Sequence, residues 1–157
     1  MAVDYRKIKD VLEKSGVVLA YVFGSYAKEK AGPLSDFDIA IVFSKGISNA
    51  QYKDKELDIA EKLGKILKIS KVDVINLEIA TSPLLKHRAV FYGTPIFAKD
   101  KKMQFELEAR VRQEYEDTKY LRKKMHAIMG RQIQEGSLGT TPLSPSQEKS
   151  FTAYVHR

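Results

Sequence analysis

The sequence contains neither cysteine nor tryptophan, and only three of its 157 residues are histidine. The lack of cysteine excludes a disulfide scaffold, a thiolate zinc site and a cysteine nucleophile. No apolar run reaches the roughly 18–20 residues that cross a bilayer, and the charged N-terminus lacks the apolar middle of a signal peptide. We therefore expect a cytoplasmic protein without a membrane span.

The chain has the length of one domain and an excess of positive charge. Its 27 Lys and Arg residues against 20 Asp and Glu residues give a formal net charge of +7. A basic balance suits an anionic partner such as a nucleoside triphosphate, a nucleic acid or an acidic protein surface, but it suits solubility alone equally well. Charge by itself therefore assigns no function.

Apolar runs and helical periodicities alternate along the chain and predict an α/β (α+β) domain with a small sheet. Apolar spacing and turn signals predict helices over 3–14, 49–67 and 83–92, a helical turn over 26–30, and strands over 17–23, 36–43, 71–77 and 94–98. One long helix is predicted from Asp100 to about Gln134, with Phe105, Leu107 and Val111 packed on the domain. The Gly/Ser/Pro-rich residues that follow predict an irregular tail.

A Gly-Ser pair ends the first predicted strand, where a helical turn follows. At such a junction, unpaired backbone N–H groups favour a phosphate, and a glycine lets the backbone approach it closely. Ten intervening residues, 26–35, separate Gly24-Ser25 from Asp36-Phe37-Asp38. Because strand side chains alternate, Asp36 and Asp38 project together while Phe37 faces the other way. Two carboxylates in that arrangement can hold a divalent cation such as Mg²⁺ beside phosphate oxygens.

Asp73 lies in the otherwise apolar strand Val72–Ile75, where an isolated ionised carboxylate is costly. A metal site shared with Asp36 and Asp38 would stabilise it. Three acids beside a phosphate cradle fit nucleotidyl transfer with two metals. Asp73 is then either the general base or a ligand of the metal on the nucleophile side. Each feature alone is more often structural, but their joint appearance favours an active site.

The segment GSYAKEKAGPLSDFDIAIV resembles the GS-x10-DxD signature of the DNA polymerase β-like nucleotidyltransferases. The small size, the KVDVINL strand followed by a helix, and the FELEARVRQEYEDTKYL segment resemble the MNT antitoxins of HEPN/MNT toxin–antitoxin pairs. The resemblance covers about residues 1 to 125. It implies the polymerase β-like fold, a small mixed sheet flanked by helices with a long C-terminal helix.

The resemblance also implies an activity. It implies that ATP is the donor, that Mg²⁺ is the cofactor, and that AMP passes to a tyrosine hydroxyl of a partner HEPN ribonuclease toxin, which is thereby neutralised. By position, it implies that Asp36, Asp38 and Asp73 are the catalytic and metal-binding acids and that Gly24, Ser25, Lys28 and Ser35 bind the triphosphate. The common family form has Arg-Gly where this chain has Lys28 and Glu29, so the bidentate fork of an arginine is replaced by an ammonium.

Three domain segments follow: a catalytic domain over 1–100, a helical extension over 101–134 for packing and partner docking, and a tail over 135–157. The second half of the extension has an apolar stripe flanked by basic residues.

The alternatives to AMP transfer onto a toxin are nucleotidyl transfer to RNA or to a small molecule, and a non-catalytic antitoxin that acts by binding alone. Nucleic acid as a partner is less favoured, since no aromatic stacking platform is visible.

Overall fold

A computed structural model describes residues 5–28, 32 and 35–139. Its helices and strands, in chain order, are α1 (Tyr5–Lys14), β1 (Val17–Phe23), α2 (Gly24–Ala27), β2 (Phe37–Phe43), α3 (Asn49–Leu67), β3 (Val72–Asn76), α4 (Pro83–Phe91), β4 (Thr94–Ala98), α5 (Lys101–Asp117) and α6 (Lys119–Gln134). The predicted α/β class is confirmed, and β1, α3 and β4 have the predicted bounds.

The four strands form one mixed sheet in the order β3-β2-β1-β4. β1 runs antiparallel to both β2 and β4, whereas β2 and β3 are parallel. The end of β1 therefore lies beside the beginnings of β2 and β3. This edge collects the segments in which the sequence predicted chemistry.

Both faces of the sheet are covered, and strand alternation decides which side chain faces which layer. Phe37, Ile39, Ile41 and Phe43 are buried with residues of α1 and α3 on one face. Ala40 and Val42 are buried on the other face with residues of α4 and α5. Asp38 has the parity of Ala40 and Val42, so its side chain belongs to the α4 face, as the alternation predicted.

The prediction of one helix from Asp100 to about Gln134 is wrong, because the helix is interrupted at Thr118. The Thr118 hydroxyl donates to the backbone carbonyls of Glu114, at 2.9 Å, and Tyr115, at 3.2 Å. Arg122 also donates to the Tyr115 carbonyl, at 2.7 Å, and its guanidinium lies 3.7 Å from the centre of the Tyr115 ring. Side chains thus satisfy carbonyls of the last turn of α5, which competes with helix continuation.

The chain divides after Arg112 into two compact units. Within the first, Leu107 and Val111 are buried in the core as predicted, but Phe105 is 67% exposed, so its predicted packing is wrong. In the second unit, α6 has no buried residue. Of the predicted tail, residues 140–157 lie outside the described part of the chain. Among the described residues, no helix combines the length and apolarity that a membrane span requires.

Candidate active site

The predicted acids meet at the edge where β1 ends and β2 and β3 begin. Asp38 is opposite Phe23 in the β1–β2 ladder and opposite Asp73 in the β2–β3 ladder. Asp38 and Asp73 are therefore direct neighbours on one face of the sheet, on strands about 4.8 Å apart. Asp36 directly precedes β2 and is connected to Asp73 through a shared ion-pair partner, Lys71. The structure brings all three predicted acids together.

Gly24 lies directly against the Asp38 carboxylate. Its φ of +72° is in the left-handed region, and a Cβ added there would stand 2.1 Å from Asp38 Oδ2 and 3.0 Å from its Cγ. Only glycine combines that backbone conformation with that close approach. The glycine of the Gly-Ser pair therefore places the acid directly beside the start of α2.

The other predicted triphosphate-binding residues surround this junction. Ser25 is half-buried in α2, which covers Gly24–Ala27. The helical turn predicted over 26–30 therefore begins two residues earlier than predicted, and residues 29 and 30 lie outside the described part of the chain. Tyr26 anchors α2, since its ring meets that of Phe37 edge-on at 5.1 Å. Lys28 is exposed at the end of α2. Glu29 lies outside the described residues.

Ser35 is hydrogen-bonded to Gly32 immediately before Asp36. Its hydroxyl accepts a hydrogen bond from the Gly32 N–H at 2.9 Å, and its own N–H donates to the Gly32 carbonyl at 3.0 Å. These bonds fix the entry to β2 immediately before Asp36. Ser35 thus has a local role in shaping the site besides the triphosphate contact that the resemblance implies.

Sequence reasoning missed Lys71, which joins two of the acids. Its ammonium lies 2.5 Å from Asp36 Oδ2 and 3.3 Å from Asp73 Oδ2. The signal was present in the spacing, because residues two apart on a strand project to the same side. The Lys71 carbonyl also accepts a hydrogen bond from the Phe37 N–H at 3.1 Å, which extends the β2–β3 pairing to the site.

The electrostatics of the site follow from this crowding. Burial raises the pKa of Asp38, and the carboxylates of Asp73 and Asp36 raise it further, while Lys71 opposes them. The hydrogen bonds to Asp36 and Asp73 raise the pKa of Lys71, so its ammonium stays charged. The cluster therefore has an excess of negative charge that favours a cation.

The expectation that Asp73 is a costly carboxylate in an apolar strand is wrong. Its side chain is 47% exposed on the edge strand β3, and Lys71 pairs with it. Within residues 5–28, 32 and 35–139, no three acidic or histidine side chains stand in an arrangement that would hold a metal ion. Asp36 is also substantially exposed, so both ion-paired carboxylates have room to rotate.

A cavity of about 470 Å³ opens at the opposite end of the sheet. Leu19, Phe43 and Tyr52 are among its lining residues, and none of the predicted site residues is. Leu19 lies near the start of β1 and Phe43 ends β2. The cavity is therefore separate from the acids.

Three comparisons place the chain among known proteins. The model of the family described as polymerase beta nucleotidyltransferase matches residues 6–102. A candidate protein adenylyltransferase of Methanocaldococcus jannaschii is 39% identical over 83 residues, which are 53% of this chain and 83% of that protein.

Two solved structures share the fold. One is a crystal structure of a toxin–antitoxin with AMP-PNP, in which the matched chain has a TM-score of 0.65 and 23% identity, covering 83% of this chain and 98% of that one. The other is the tri-AMPylated Shewanella oneidensis HEPN toxin in complex with MNT antitoxin, with a TM-score of 0.59 and 23% identity, covering 82% and 95%. At these identities the likeness shows the fold alone.

Proposed function

The chain belongs to the polymerase beta nucleotidyltransferase family, and on this premise we propose that it is an antitoxin that transfers AMP from ATP to a tyrosine hydroxyl of a partner HEPN toxin. The adenylyltransferase name of the Methanocaldococcus relative supports AMP as the group transferred. The AMPylated toxin in the Shewanella complex supports a HEPN protein as the acceptor.

The observation that carries the proposal is the acid cluster against Gly24. Asp38 and Asp73 are paired across neighbouring strands, and Asp36 adjoins them. A Cβ added at Gly24 would clash with the Asp38 carboxylate, so the absence of a side chain at this position lets the backbone and this acid lie close together. A structural role alone does not require three carboxylates beside a glycine whose backbone is in the left-handed region.

The reaction joins the tyrosine oxygen to the α-phosphorus of ATP and breaks the bond between that phosphorus and the bridging oxygen of pyrophosphate. Pyrophosphate leaves with the electron pair of the broken bond. The hydroxyl proton is lost in the step, and we assign its acceptance to Asp73. This carboxylate is exposed to an incoming hydroxyl and lies beside Asp38 in the ladder.

Mg²⁺ fits the residues of the site, because carboxylate oxygens are the ligands it prefers. Asp36, Asp38 and Asp73 would hold it. Burial raises the pKa of Asp38 and the carboxylates of Asp73 and Asp36 raise it further, and this repulsion between neighbouring acids supports a bound cation. When bound, the metal supplies positive charge to the phosphate oxygens and lowers the pKa of a coordinated hydroxyl. Gly24, Ser25, Lys28 and Ser35 are our proposed triphosphate contacts.

For domain organisation we propose a catalytic segment over 1–100, a helical extension over 101–134 and an irregular tail over 135–157. Within the extension, α6 has an exposed apolar face formed by Leu121, Met125, Ile128 and Met129. Residues at this three- to four-residue spacing dock into grooves of partner proteins. The same helix contains five basic residues and no acidic one, so an acidic partner surface would steer the encounter.

We further propose a cytoplasmic location, where ATP is available as donor.

A competition between acceptors tests the proposal. Purified HEPN partner and bulk tRNA are offered together with ATP labelled at the α-phosphate. We expect label in the protein, at tyrosine. Label in tRNA would instead support the RNA-modifying alternative, and inhibition of the toxin without label in either would support an antitoxin that acts by binding alone.

A further inference from the structure

Lys71 places a permanent positive charge on the acids that would hold the metal. Its ammonium contacts Oδ2 of Asp36 at 2.5 Å and Oδ2 of Asp73 at 3.3 Å. The contact with Asp36 joins separate segments, because Asp36 precedes β2 whereas Lys71 and Asp73 belong to the β3 segment. The lysine therefore does what a bridging metal would do, which is to neutralise carboxylates of two segments at once.

The bridge is held only weakly. The Lys71 side chain is 58% exposed, and its two partners are 41% and 47% exposed. Ion pairs with this exposure are screened by water and salt, and each has a small net free energy. Lysine is also a flexible point charge without the planar fork that locks arginine onto carboxylates. The ammonium can therefore leave when a stronger ligand for the carboxylates arrives.

We propose that Lys71 is a positioning residue that holds Asp36 and Asp73 together in the metal-free protein and must be displaced when a divalent cation binds. This inference rests on the proposed function, since that function assigns the metal to these acids. It explains why three neighbouring acids do not stand as a finished metal site in the described structure. The carboxylates are turned to the lysine and have to rotate to meet a metal.

Competition between Lys71 and a metal predicts that removing the lysine raises metal affinity, whereas a merely structural ion pair does not predict this. Removing the ammonium destabilises the pairing of the two segments slightly, but it frees the carboxylates and removes a repulsive charge beside the metal. The affinity for a divalent cation should therefore rise. Two exposed ion pairs and the lost repulsion correspond to roughly three- to tenfold.

The test uses Mn²⁺ as a spectroscopic probe on the full chain without nucleotide. Free Mn²⁺ is counted by electron paramagnetic resonance at pH 7.5 and moderate salt. The variants are Lys71→Met, which keeps the length of the side chain, Lys71→Gln, which keeps its polarity, and Lys71→Arg, which keeps its charge. Lys62→Met is the matched control, because Lys62 pairs with Asp58 at 2.7 Å within α3, on the opposite face of the sheet.

We expect Lys71→Met and Lys71→Gln to bind Mn²⁺ three- to tenfold more tightly than the parent chain. Lys71→Arg should bind Mn²⁺ no more tightly than the parent chain, because arginine keeps the charge and grips carboxylates more firmly, and Lys62→Met should stay within twofold of the parent. Unchanged or weaker binding in folded Lys71→Met would overturn the role of Lys71 and leave the proposed function intact. No binding in the parent chain and in Lys71→Met alike would overturn both the inference and the metal site of the proposed function.

Discussion

Replacing Gly24 by alanine changes the position of Asp38 while leaving all three carboxylates of the site in the chain. The new methyl group would stand 2.1 Å from Asp38 Oδ2 and 3.0 Å from Asp38 Cγ. The carboxylate must move, because atoms in van der Waals contact lie more than 3.4 Å apart. The backbone at φ +72° also disfavours a side chain. Gly24→Ala therefore affects both stability and the position of Asp38.

The two effects have different sizes. A non-glycine residue in the left-handed region costs about 1–2 kcal/mol, and local overpacking adds about 1–3 kcal/mol, part of which is relieved when the Asp38 side chain turns away. We therefore expect the free energy of unfolding to fall by about 1–3 kcal/mol. A displacement of about 1 Å at a reacting centre can lower a rate about 100-fold. The loss of AMP transfer should thus exceed what the lost stability explains.

The assay combines urea unfolding with single-turnover transfer from labelled ATP, at a temperature where the variant is folded. Gly46→Ala is the matched control, since a Cβ at that position meets nothing within 4 Å. This control should keep its activity. A folded Gly24→Ala variant that transfers AMP within threefold of the parent rate would refute the claim that the glycine positions Asp38.

Three further changes test other parts of the account. Asp38→Asn should raise the free energy of unfolding at pH 7, measured in urea without metal. Burial and the neighbouring acids raise the pKa of Asp38 in the folded chain above its unfolded value of 3.8. The ionised carboxylate therefore lowers the free energy of unfolding as the pH rises above 3.8, and asparagine removes that charge. Met125→Asp should weaken binding of the HEPN partner at least tenfold, measured by calorimetry, while its affinity for ATP stays unchanged. An affinity for the partner equal to that of the parent chain would show that α6 does not dock. Leu107→Ala should lower the unfolding free energy by about 2–5 kcal/mol, whereas Phe105→Ala should change it by less than about 0.5 kcal/mol, and equal losses would contradict their different burial.

Much of the fold could be predicted because local signals agreed with the final packing. The continuous apolar run of β1, the Ser82-Pro83 start of α4 and the alternation through β2 are all properties of short segments. The acid pair across β2 and β3 also followed from local signals, because an aspartate stands in each of these neighbouring strands.

The wrong or missed predictions depended on side-chain contacts and strand pairing, which apolar periodicity and strand composition do not show. The break at Thr118 depends on how its hydroxyl and Arg122 share the carbonyl of Tyr115, whereas the apolar periodicity continues through it. The exposure of Asp73 depends on β3 being an edge strand, which strand composition does not reveal. Lys71 carried a usable signal in its two-residue spacing from Asp73, but pairing with Asp36 required the parallel register of β2 and β3.

The central claim is that the acid cluster transfers AMP to a protein, and one measurement tests it most directly. Asp36→Asn and Asp38→Asn are compared with the parent chain in transfer of label from ATP to the purified HEPN partner, with circular dichroism to establish that each variant is folded. We predict that the parent chain labels a tyrosine of the partner and that both folded variants lose transfer by several orders of magnitude, because each lacks a carboxylate of the site. Transfer retained in both folded variants would contradict the account.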